Sequence, residues 1–207
     1  MATVTSNSMV GGRQRPDWAG LVTISDNKPT SNEELADSRN PRQVRGIVVP
    51  VTTAGRPSPP SPWSGYHTGK GPGTDKGHLM ALELGGPDIA ENIAPQSSRW
   101  QQSGGWRIIE VNVLRVAMRW MGIDGVYDPS DDIPAPATAC YFAVSPGTGA
   151  DAMTGEPLWY DINIAKVSID RTPRGWTWDS RTHQIARWAQ IAPNEVRFDS
   201  RDAWSDL

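Results

Sequence analysis

Between residues 103 and 121, Trp106, Ile109, Val113, Val116, Ala117 and Trp120 recur every third or fourth position, with Arg107, Glu110, Asn112, Arg115 and Arg119 between them. That spacing predicts an amphipathic helix, ended by Gly122. A period of two takes over in W-Y-D-I-N-I-A-K-V-S-I at 159–169, which predicts a strand. Strands are also predicted at 138–144 and at 175–179. Residues 44–53, VRGIVVPVTT, form another β-branched run, in which Pro50 requires an edge, a bulge or a break. Residues 75–83 predict a strand or hairpin arm, followed by a G-G-P-D turn at 85–88 and a further segment at 91–96. A short C-terminal helix is predicted around 182–191.

Between these elements the chain is punctuated rather than patterned. Residues 1–43 are polar and carry Gly11-Gly12, Pro16, Pro29, Asn32 and Pro41, so they read as an arm or loosely packed lead-in, with one short helix at 31–38 capped by Ser31. Residues 55–73 hold five Pro and five Gly, which predicts a long surface loop. Residues 124–137 form an acidic, Pro-rich loop, and no internal repeat is visible. The chain therefore reads as one domain over 44–207 preceded by the 1–43 lead-in. Its expected class is α+β with a mainly antiparallel, twisted sheet.

Composition changes this picture in three ways. With 37% hydrophobic and 21% charged residues the chain can build a core. Its ten Trp, most of them from Trp100 onward, read first as core packing and second as surfaces for base stacking. The net charge of −3 gives no whole-protein attraction for a polyanion, so any phosphate contact has to be local, for instance along Arg99, Arg107, Arg115 and Arg119. The single Cys140 excludes an internal disulfide. No basic segment and apolar core of a secretory signal opens the sequence, so a cytoplasmic place or signal-independent export is expected. The longest apolar-rich stretch, 106–121, is broken by Arg and Glu, which predicts no membrane span.

Three blocks carry candidate chemistry: T-D-K-G-H-L-M at 74–80, G-G-P-D-I-A-E-N-I-A-P-Q at 85–96 and G-G-W-R-I-I-E at 104–110. In this order and with these gaps they resemble the DNA/RNA non-specific endonucleases, a ββα-metal (His-Me finger) family. Its pattern is D-R-G-H, then N-x-x-P-Q, then an Asn, then W-x-x-x-E on a helix. The layout is most similar to the shorter form found at the C-termini of bacterial polymorphic toxins. The resemblance spans about 55–120, a little under a third of the chain, with the ββα-metal core at about 74–121.

The resemblance implies that His78 is the general base, that Asn92 orients the His and its loop, and that Glu110 holds the water shell of Mg²⁺ or Mn²⁺. Lys76 stands where the family has Arg, so a planar fork becomes a point charge on phosphate. The family's metal-binding Asn is replaced by Gln101 or Gln102. Counting forward from Asn92 selects Gln101, whereas counting back from Glu110 along one helix favours Gln102. Lys76, Arg99 and Arg107 are the candidate phosphate contacts. The implied substrate is DNA and/or RNA, and the implied use is a toxin or effector with an immunity protein as partner. The alternative is a degenerate ββα-metal fold that binds nucleic acid or protein without cleaving. Neither His67 nor His183 has partners at zinc spacing.

Overall fold

The computed structural model describes residues 3–6, 9–10, 13–14, 18, 21–26, 43–54, 74–89, 92–128, 131–146, 156–179 and 186–191. In chain order the first strands are β1 (Thr3–Ser6), β2 (Met9–Val10), β3 (Arg13–Gln14), β4 (Val22–Asp26) and β5 (Gln43–Ile47). Next come β6 (Thr74–His78), a 3-10 turn (Leu82–Leu84), β7 (Ile93–Ser97), and the helices α1 (Ser98–Gln102) and α2 (Gly105–Met121). The chain continues as β8 (Ala137–Pro146), β9 (Tyr160–Thr172), β10 (Gly175–Asp179) and β11 (Ala186–Ile191). The architecture is mixed α+β on an antiparallel sheet of order β1-β4-β5-β8-β9-β10, with β11 also on β9. β6 and β7 form a separate hairpin.

Register explains why this sheet needs cover on both sides. Cys140 pairs with Lys166, Phe142 with Ile164 and Val144 with Ile162, so one face collects Cys140, Phe142, Val144, Ile162 and Ile164. Against it lie Trp106, Ile109, Val113, Val116 and Ala117 of α2. Ala139 and Val167 point the other way and pack with Trp18, Leu21, Ile133 and Trp176. Each aliphatic side chain so buried contributes roughly 1.5–3 kcal/mol. Trp100, Trp106 and Tyr160 meet with ring centroids 5.1–5.3 Å apart, fastening both helices to β9. The Trp residues at 18, 100, 106 and 176 are all buried, as the core-packing reading expects.

The helical period places α2 well, and Gly122 closes it in the left-handed conformation at φ 69°. Three expectations need revision. Residues 186–191 form a strand instead of the predicted helix. β10 pairs only with Ser168–Thr172, which leaves the Tyr160–Ala165 half of that edge open, and β11 takes it. Backbone pairing thus overrides the helical propensity of Ala186, Ala189 and Gln190. The segment read as a loose arm supplies β1 and β4, and Trp18 and Leu21 within it are buried. The carbonyl of Leu21 accepts the Ile47 amide at 2.8 Å, which ties this stretch to β5. The third revision concerns α1 and α2, which are separate helices broken at Ser103-Gly104. The predicted helix at 31–38 and loop at 55–73 lie outside the described residues. Among the described residues, no helix is long and apolar enough to cross a membrane.

Candidate active site

His78 is the last residue of β6, paired with Ile93 of β7. Its Nε2 lies 3.0 Å from Oδ1 of Asp88, and the two side chains are 19% and 4% exposed. The chain between them is pinned by Asn92, whose Oδ1 accepts the Met80 amide at 3.0 Å while Nδ2 donates to the carbonyls of Met80 at 2.8 Å and Pro87 at 2.9 Å. The Leu79 amide donates to the Asn92 carbonyl at 2.8 Å, so the hairpin and the loop beyond it close as one unit. Asn92 is fully buried, and its side chain uses both donors and its acceptor in that loop. We expect Asn92→Ala to cost about 3 kcal/mol or more, since it strands three buried backbone groups. Chemical denaturation measures this, and a loss under about 1 kcal/mol contradicts the fastening role.

The Gly85-Gly86 pair has its own reasons. Gly85 sits at φ 87°, and a Cβ on Gly86 would overlap the backbone carbonyl of Met80. That carbonyl belongs to the same loop that Asn92 holds. Gly86→Ala is therefore expected to destabilise by about 2 kcal/mol, read from the denaturation midpoint. An unchanged midpoint would show that the loop yields freely.

Glu110 faces inward on α2 and is only 8% exposed. Burial raises its carboxyl from an ordinary 4.5 to about 7, and Arg107, with Nη1 at 3.2 Å, pulls in the opposite direction. Arg107 also forks onto Glu83 of the 3-10 turn, Nη1 to Oε2 at 3.0 Å and Nη2 to Oε1 at 3.3 Å. The hydrogen bond it donates to Glu83 is the main cause holding the guanidinium above its ordinary value. The turn carrying Glu83 is itself clamped, with Val49 and Val51 donating to the carbonyls of Leu84 at 3.0 Å and Glu83 at 3.2 Å. Arg107 therefore spans two carboxylates, and a phosphate would have to compete with both.

The remaining candidates fall in different places. Gln102 is exposed at the end of α1, and its Nε2 donates to Oδ2 of Asp75 at 2.6 Å. Asp75 and His78 stand an odd number of residues apart in β6, so their side chains leave opposite faces of the strand. The one-helix count that favoured Gln102 fails at the α1–α2 break. Gln101, half-buried, is on the same short helix. Lys76 lies in β6 opposite Pro95. Arg99, Arg115 and Arg119 are exposed. At 100° per residue, Arg115 and Arg119 sit about 140° and about 180° around α2 from Glu110. They do not continue a basic stripe past that carboxylate.

What joins the hairpin to the helix is the core itself. Leu79, Met80 and Ala94 share one apolar cluster with Trp106, Ile109 and Val113. Among the described residues, no group of three or more His, Cys, Asp or Glu forms a metal-holding cluster. Cys140 is buried, which pushes its thiol far up and removes it as a nucleophile. Two partners escaped the sequence reading. Asp88 looked like a turn residue, and its contact with His78 appears only in the fold. Glu83 gave no sequence signal. No protein-family model matches the chain, and neither does any curated protein.

Proposed function

We propose that the chain is a metal-dependent endonuclease that hydrolyses phosphodiester bonds of DNA and/or RNA with little sequence preference, built on a ββα-metal motif of β6, β7 and α2. The observation that carries this reading is the pairing of His78 with buried Asp88, on a hairpin locked by Asn92 and sharing its core with the helix that buries Glu110. A carboxylate kept in a dry place at the cost of a raised pKa is a common mark of a working site.

A phosphodiester is a poor electrophile that already bears negative charge, so hydrolysis needs a base near neutral pKa and positive charge on the phosphate. His78 takes the proton of the attacking water. Asn92 keeps the loop and therefore the ring in place, and Lys76 and Arg99 serve as phosphate contacts. Glu110, together with Gln101 or Gln102, would supply the hard oxygens for Mg²⁺ or Mn²⁺. Such an ion would supply positive charge for the phosphate, which the chain's own net charge does not. Arg107 shields Glu110 meanwhile and turns to phosphate only by giving up Glu83. A toxin or effector role, with an immunity protein as partner, follows the same reading by analogy.

One observation favours a second reading, a ββα-metal fold that binds nucleic acid or protein without cutting: Arg107 and Asp75 already occupy Glu110 and Gln102. Supercoiled plasmid separates the two. The nuclease reading predicts nicking with Mg²⁺ or Mn²⁺ that EDTA stops. A wild-type protein that shifts the plasmid in a gel but never nicks it supports the binding module.

A further inference from the structure

We propose that Asp88 is the positioning residue of His78, fixing the imidazole tautomer in which Nδ1 is the basic nitrogen. The inference rests on the general-base reading of His78 and deepens it by naming the atom that acts and the group that holds it. An ionised carboxylate only accepts hydrogen bonds, so at 3.0 Å from Oδ1 it is Nε2 that must carry the proton. A neutral imidazole has one N–H, and Nδ1 is then the nitrogen with the lone pair.

Asp88 is suited to this by its own fixation. It follows Pro87, whose carbonyl receives the Asn92 amide at 2.9 Å, and its side chain is 4% exposed. In so dry a setting a charge-assisted hydrogen bond is stronger and better aligned than at the surface. Asn92 acts one step further back, through the backbone that carries Asp88. In the reaction, a water proton passes to Nδ1 as the water oxygen bonds to phosphorus. The ester P–O bond breaks, and the departing alkoxide takes a proton from solvent. The imidazolium so formed gives Asp88 a full positive charge to face, and the carboxylate stabilises it.

The test is the tautomer of His78, read from its imidazole nitrogen shifts at about pH 9, where an imidazole is neutral. The wild-type ring should be protonated on Nε2. In Asp88→Asn the amide can donate as well as accept, so the Nδ1–H form should appear, and cleavage should fall by ~10²-fold or more with KM little changed. A wild-type His78 found as the Nδ1–H tautomer overturns the inference, even if the variant does not fold. So does a folded Asp88→Asn protein with unaltered tautomer and rate. The ring can be read in a protein that cleaves nothing, so failure of the nuclease reading is told apart from failure of this one.

Discussion

Replacing His78 with Ala should abolish cation-dependent plasmid cleavage, lowering its rate by roughly 10²–10⁴-fold, while gel-shift affinity for the same plasmid stays within about a factor of three. The split follows from what the ring does. A base that takes a proton only in the transition state leaves ground-state binding nearly untouched, whereas a phosphate contact weakens both. Added imidazole should restore part of the rate, because the void at position 78 opens to solvent through a residue that is 19% exposed. A variant that cleaves as fast as the wild type would remove His78 from the chemistry. Parallel loss of binding and cleavage would recast it as a contact or a structural residue.

Glu110→Gln should raise stability and lower activity together. The wild-type carboxyl titrates near 7 in the folded chain against 4.5 when free. Between those values the folded protein holds the proton more tightly than the unfolded one does. The associated stability is complete below about pH 4.5 and is lost as pH rises through about 7. The displacement corresponds to about 3 kcal/mol at most, part of which Arg107 and local relaxation return. Measured against wild type, the Gln variant should therefore gain about 2 kcal/mol on going from about pH 4.5 to about pH 8, with cleavage reduced at least ~10²-fold. Denaturant unfolding at the two pH values, on both proteins, makes the comparison. A pH-independent difference would show that Glu110 titrates like an ordinary exposed carboxyl.

Sequence reading could single out Glu110 but not show its burial or its contact with Arg107. W-x-x-x-E on an amphipathic period was visible, and so was the turn after His78. Strong, repeated local patterns of this kind survive folding: α2 and β8 to β10 fall where period and β-branched runs put them. Pairings between distant segments leave no such trace. Residues 186–191 look helical until the open edge of β9 is known. Val22 and Ile24 in β4 pair with Gly46 and Val44 of β5, and a Cβ on Gly46 would overlap the Leu21 carbonyl. The same limit hid the site's electrostatics. Arg107 reads as a phosphate contact until Glu83, 24 residues away, is found beneath it, and Asp88 reads as a turn former until His78 lies 3.0 Å from it. The order of the motif blocks was legible, and the partner of each charged group was not.

If a loosely held divalent ion works between His78 and the helix of Glu110, as proposed, Mn²⁺ should broaden the imidazole resonances of His78. The prediction is strong broadening at low Mn²⁺ in the wild type, reversed by EDTA and lost in Glu110→Gln at the same Mn²⁺ concentration. Resonances of His78 that stay sharp as Mn²⁺ is added, or that broaden equally in both proteins, would contradict it.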